Sequence, residues 1–273
     1  MVTDYHMHLE VEGLKMSYLR RFVEQAEKVG VDEIGISEHA YHFVEAAPLL
    51  ERPDYIARRS QGLLLDDYVR LIEDAKAAGL PVKLGIEMDY IPEREDDIRS
   101  LMANYPWDYV IGSVHWLGEW GFDLDAESWV GRDVSQAYAD YFRLAEMAIR
   151  SGIFDIFAHP DLIKIYGYRL PPEEAHLLDG YFDRMAEAAR DAGICLEVSS
   201  AGLRKPVGEI YPDQRLLVKA RALGVPISLA SDAHQPEHVG WAYPELFAWA
   251  RAAGYTTHTV FNRREKSQAP IPA

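Results

Sequence analysis

Histidines and carboxylates recur at intervals along the 273-residue chain, as His6 and His8, Glu38 and His39, Glu87, His115, His159 and Asp161, and Asp232 and His234. The first two histidines are two residues apart, so on an extended strand they project from one face and can hold one ion between them. A lone strand-end histidine is ordinarily a hydrogen-bonded structural group. Burial alone would require a separate partner for each of these side chains, whereas a shared divalent ion satisfies several at once and offsets repulsion among the carboxylates. The set points to a metal cluster.

Such residues can meet only if the intervening chain brings them to one place. The sequence repeats a unit: an amphipathic stretch of helical spacing, a glycine or asparagine, then a short β-rich run. Residues 18–29 put Leu19, Phe22, Val23, Ala26 and Val29 on one face, stop at Gly30 and precede a strand at 33–37. The same pattern predicts helices at 66–78, 95–103, 135–151, 173–192, 213–223 and 244–253. Strands are expected at 2–5, 82–86, 109–114, 154–158, 194–198, 226–230 and 256–261. About eight short strands alternating with helices, with no linker-like tract, predict a single α/β domain over residues 1–273. No glycine-rich phosphate loop follows the first strand, which favours a closed barrel over an open doubly wound sheet. Nearly every predicted strand then ends in a metal-ligand residue, where barrel sites are built. The tail after Asn262 reads as a surface strap or an interface arm.

Composition narrows the partners. With 48% hydrophobic and 26% charged residues the chain is globular, and its net charge of −16 disfavours nucleic acid and anionic membranes. The single cysteine, Cys195, lies in an apolar run and suits a reducing cytosol. The opening residues lack the pattern of a signal peptide, and no apolar stretch approaches the ~20 residues of a membrane span. The expected location is the cytoplasm; the oligomeric state is left open.

The segments DYHMH (4–8), SEH (37–39), GIEMDYI (85–91), IGSVH (111–115), AHPDL (158–162), SSAGLRKP (199–206) and SDAH (231–234) together resemble the polymerase and histidinol phosphatase (PHP) superfamily of metallophosphoesterases. GIEMDYIPE, GSVHW and AGLRKPVGEIYP are similar to its monofunctional bacterial histidinol-phosphate phosphatase branch. That resemblance implies a distorted seven-stranded (β/α) barrel holding up to three divalent ions. One ion would take His6, His8, Glu87 and Asp232, with Glu87 bridging to a second on His115 and His159, and a third would take His39 and His234. The family's further first-motif ligand, often a histidine, is missing here. Glu12 is the expected stand-in and Glu10 the alternative; either carboxylate shifts preference toward manganese or iron over zinc, although all three metals remain possible.

The implied activity is hydrolysis of L-histidinol phosphate to L-histidinol and phosphate, in histidine biosynthesis, by attack of a metal-activated hydroxide. Glu87 would hold two ions together, and Asp232 would bind one and orient the hydroxide. Asp161 reads either as a partner of His159 or as a proton carrier to the leaving alkoxide. Arg204, then Lys205, are the expected phosphate cations. The long loop 41–65, with His42, Arg58 and Arg59, reads as a lid; His42 would touch phosphate or the substrate amine, or else be solvated. Trp116, Trp120 and Trp129, among acidic residues, either receive a cationic substrate or pack their own loop. Competing readings are another small phosphate ester (a sugar phosphate, nucleotide or cyclic phosphodiester) and a non-catalytic metal-binding accessory domain.

Overall fold

The computed structural model describes residues 1–50 and 62–273, so Arg58 and Arg59 and the middle of the expected lid lie outside the described residues. Helix–strand alternation is realised throughout. The strands are β1 (Thr3–Asp4), β2 (Glu33–Ile36), β3 (Val82–Leu84), β4 (Glu87–Asp89) and β5 (Ile111–Ser113). A small hairpin follows, β6 (Trp116–Leu117) and β7 (Trp120–Gly121), then β8 (Ile156–Phe157), β9 (Cys195–Ser199) and β10 (Ile227–Ala230). Between them run α1 (Met16–Val29), α2 (Leu65–Ala77), α3 (Glu95–Ala103), α4 (Val134–Arg150), α5 (Leu177–Ala192), α6 (Gln214–Ala222) and α7 (Tyr243–Ala252).

Helix α1 shows why these elements form. Tyr18, Leu19, Phe22 and Ala26 bury one face, and Gly30, with φ of 77°, turns the chain so that its N–H bonds the last carbonyls. The side chains of Asp133 and Asp213 accept from backbone N–H groups in the first turns of α4 and α6, satisfying donors that lack an intrahelical acceptor. No helix among the described residues is long and apolar enough to cross a membrane.

Two parallel sheets, β1-β2-β3 and β10-β9-β8-β5-β4, join into one ring. Strands β3 and β4 are consecutive parts of one barrel position: Gly85 N–H bonds Ile36 O, Ile111 N–H bonds Ile86 O, and Glu87 N–H bonds Glu38 O. The ring closes where Met7 bridges Ala233 in parallel and Tyr5 N–H bonds Leu229 O. The result is a distorted (β/α)7 barrel, with strands as short as two residues.

The strand expected at 256–261 is not a further barrel strand. Residues Thr257–Asn262 form β11, antiparallel to β12 (Glu265–Pro270), which occupies the supposed strap. Arg263 and Arg264, at φ of 49° and 66°, make the two-residue turn whose twist suits a hairpin. Phe261 packs against Tyr5 and Tyr109, and Arg264 Nε donates to Asp155 Oδ2 at 2.8 Å, so the hairpin is pinned to the barrel.

Tyr109 also shows how a narrow barrel accommodates a large residue. Its hydroxyl donates to Tyr5 O at 2.7 Å, and a Cβ on either Gly35 or Gly85 would overlap its ring or hydroxyl. Both glycines therefore exist to leave space. Gly35→Ala should destabilise the fold by about 1–3 kcal/mol through overpacking; urea unfolding of the variant beside the parent measures it.

Candidate metal centre

The ends of the strands deliver their side chains to one buried point, the carboxylate of Glu87. Its Oε2 lies 3.1 Å from His6 Nε2, 2.8 Å from His39 Nδ1 and 3.6 Å from His8 Nε2. Its Oε1 lies 3.3 Å from His159 Nε2 and 3.6 Å from His115 Nε2. The two oxygens thus face two separate sets of imidazoles, the division expected of a carboxylate that bridges two ions. Asp232 Oδ1 stands 3.4 Å from His8 Nε2 and 3.5 Å from His234 Nδ1 on the other side.

These approaches are short, yet both Glu87 oxygens, both His8 nitrogens and His6 Nε2 have no hydrogen-bond partner. Buried polar atoms without partners are rare, and here acceptors and ring nitrogens are orphaned around common points. The atoms of His6, His8 and Asp232, of His6, Glu87 and His159, and of His8, His39 and His234 each lie within 4.8 Å of one another. Nitrogen and oxygen donors so arranged fit divalent ions.

The surroundings orient the donors. His6 Nδ1 donates to Glu197 Oε2 at 2.7 Å, and His115 Nδ1 to Asp89 Oδ1 at 2.9 Å, which turns each Nε2 toward Glu87. Two other site residues sit in strained backbone: His159 and Asp232 have φ of 27° and 51°, in a region non-glycine residues rarely adopt. Glu197 Oε1 accepts from His159 N–H and Arg204 Nη2 donates to Asp232 O, so both turns are tied down.

Electrostatics follow from burial and this excess of carboxylates. Burial alone would raise Glu87, but His6, His39 and His115 hold it well below the usual range. Asp232 is likewise opposed by burial and held low by His234 and His6. Burial would lower His6, yet Glu197, Glu87 and Asp232 hold it well above its ordinary value; for His115, Asp89, Asp123 and Glu87 reverse the same effect to about 10. His8 differs: burial, reinforced by His39 and His234, lowers it well below normal, keeping the ring neutral. Glu38 stands behind His8, accepts from Leu9 N–H, and is pushed by burial up to about 8. The site attracts positive charge, as protons or as metal, and ion binding would displace the protons.

Several expectations change. Glu12 is not brought to the site: the turn closed by Gly13 N–H on Leu9 O swings it outward, where it is 44% exposed and paired with Arg21. Glu10 points inward, with Oε1 3.7 Å from His234 Nε2 and Oε2 2.9 Å from His42 Nε2. His42 is therefore buried behind Glu10 and is neither a solvated loop residue nor part of the cavity wall. Asp161 does not bond His159; its Oδ2 meets Lys164 Nζ at 2.8 Å and accepts from Asp213 N–H. Arg204 donates to Ser231 O and Asp232 O, which holds the turn after β10, while Lys205 lines the cavity. Glu209, further along the same segment, pairs with Lys164 and Arg169.

The cavity above the cluster holds about 340 Å³. Trp116, Leu124, Leu162, Ile165 and Tyr166 give it an apolar wall, and Asp123, Lys205 and Tyr211 add polar groups. Of the loop tryptophans, only Trp116 lines it; Trp120 and Trp129 pack edge to face at 4.9 Å, and Trp129 stacks on Tyr168. Sequence reasoning missed Glu197, Asp89 and Tyr211. Asp89 was available, since it shares Glu87's face two residues on; Glu197 was visible only as a charge inside the apolar run ICLEV.

The PHP domain profile matches residues 4–201. A probable histidinol-phosphatase of Deinococcus radiodurans is 33% identical over 268 residues, covering 96% of this chain and 97% of that protein. The histidinol-phosphatase of Bacillus subtilis is 29% identical, over 82% and 90% of the two chains. The crystal structure of histidinol phosphate phosphatase from Lactococcus lactis, complexed with zinc, L-histidinol and phosphate, is similar in fold at a TM-score of 0.78 and 20% identity, covering 97% of this chain and 98% of the other. A domain profile spanning most of the barrel and a relative similar from end to end agree with the geometry at the strand ends: the chain belongs to the PHP family.

Proposed function

We propose that residues 1–273 act as one domain that hydrolyses L-histidinol phosphate to L-histidinol and inorganic phosphate. The observation that carries this reading is the division of histidines between the two oxygens of buried Glu87, beneath a cavity with both a cation and a carboxylate in its wall. The relatives' names supply the ester.

One ion would be held by His6, His8, Glu87 and Asp232, a second by Glu87, His115 and His159, and a third by His39, His234 and Glu10. Zinc, iron or manganese in these positions supplies Lewis acidity, making water nucleophilic at neutral pH and neutralising phosphoryl charge. The chain's own groups do the rest. Lys205 binds the phosphate as a point charge, while Arg204, which does not line the cavity, positions Asp232 through its backbone carbonyl. Asp123 Oδ1, also buried without a hydrogen-bond partner, suits the ammonium or imidazolium of the substrate, with Trp116 beside it. Burial raises Asp161, opposed by Lys164, and its contacts make it a wall-positioning residue rather than the acid for the leaving group.

Three outcomes test the reading. Purified protein with its metal content measured should release phosphate from L-histidinol phosphate far faster than from sugar phosphates, nucleotides or a cyclic phosphodiester, and chelation should abolish this; preference for another ester would refute the substrate, and a metal-loaded but inert protein would refute the activity. Glu10→Gln should weaken one metal equivalent by ~10–100-fold, the range seen for groups that support metal sites, whereas Glu12→Gln should leave metal titrations unchanged. Lys205→Ala should raise KM for the ester by roughly tenfold, as expected from losing a charged hydrogen bond, with metal content intact.

A further inference from the structure

Among the described residues, Tyr211 is the one buried tyrosine whose hydroxyl has no hydrogen-bond partner. The hydroxyls of other wholly buried tyrosines find acceptors: Tyr68 bonds Ile36 O and Gly85 O, Tyr109 bonds Tyr5 O, Tyr141 bonds His159 O and Tyr243 bonds Thr3 O. Leaving a buried hydroxyl unpaired costs free energy that a phenylalanine would not incur, so the group needs a use the folded chain alone does not show.

Its location indicates that use. Tyr211 is 1% exposed and lines the cavity with Lys205, Asp232 and His159. Its backbone is fixed on both sides, exchanging hydrogen bonds with Ser199 at the end of β9 at 2.8 and 3.0 Å. The ring lies edge-on to His159 at 6.4 Å, and Lys164 Nζ stands 5.4 Å from its centroid. On the third side Gly202 leaves just enough space, since a Cβ there would press on the ring and overlap Glu209 O. The phenol is thus held rigidly, beside residues assigned above to metal and phosphate.

We propose that Tyr211 Oη–H donates a hydrogen bond to a non-bridging oxygen of the substrate's phosphoryl group, and to inorganic phosphate as product. The inference rests on the phosphatase reading for its substrate. A site rich in carboxylates is short of donors, and a phosphate dianion is all acceptor; a neutral phenol supplies a donor without adding charge. The proton stays on Oη throughout. Charge growing on the phosphoryl oxygens strengthens the bond, so the residue acts on turnover as well as on binding.

Tyr211→Phe keeps the ring and removes only the hydroxyl. In the metal-loaded protein, calorimetric titration with inorganic phosphate should show affinity about 10–100-fold weaker than the parent, and kcat/KM should fall by at least that factor, with kcat itself reduced. The fall should be the same for L-histidinol phosphate and for p-nitrophenyl phosphate, whose leaving group needs no proton. Without phosphate, the melting temperature should be unchanged or higher, because no protein hydrogen bond is lost. Unaltered phosphate affinity would overturn the proposal, as would a lowered melting temperature, which would place the hydroxyl's partner within the protein. A loss confined to the alkyl ester would move the contact to the leaving oxygen and overturn it too. If the parent binds phosphate through Tyr211 yet does not hydrolyse L-histidinol phosphate, the substrate reading falls and this one stands.

Discussion

A carboxylate taken out of water must be surrounded by positive charge or become neutral, and Glu87 is almost wholly buried at the centre of the barrel mouth. Its ionised form is sustained by imidazoles from four other strand ends, each arriving from a different part of the chain. The barrel answers this requirement geometrically. The break between β3 and β4 lets one strand position bond its neighbours on both sides while Glu87 remains at its upper end. Glu197 and Asp89 then hold two of the rings in the orientation that points nitrogen inward.

Much of this was legible in the sequence because periodicity and strand-end position are local properties. His6, His8, His39, Glu87, His115, His159, Asp232 and His234 all reach the cluster, since a parallel barrel sends every strand end to the same face. What failed were choices between neighbours. Glu10 and Glu12 lie on opposite sides of a turn whose direction depends on one backbone hydrogen bond, from Gly13 N–H to Leu9 O. Arg204 ends a short 3-10 helix and Lys205 follows it in extended backbone, so one holds the strand end and the other reaches the cavity. The last strand misled for a different reason: an alternating run reads the same whether its partner is parallel or antiparallel.

His159 and Asp232 make a related point about stability. Each occupies a backbone conformation that costs roughly 1–3 kcal/mol for a non-glycine residue. Glu197 and Arg204 hold those conformations in place. The groups that tie down these turns never enter the cavity, yet the direction in which two candidate ligands point depends on them.

The seam between β10 and β1 has a consequence in time. His6 and His8 are made first, whereas Asp232 and His234, which share their cluster, emerge from the ribosome more than two hundred residues later. Until that seam closes, the first strand lacks one of its two neighbours and the histidines face an unfinished set of donors. Contacts so distant along the chain carry a large entropic cost of closure and make folding slow. An ion held across the seam would join the two ends of the ring after synthesis, so metal supply would govern how quickly the newly made barrel becomes resistant to proteolysis.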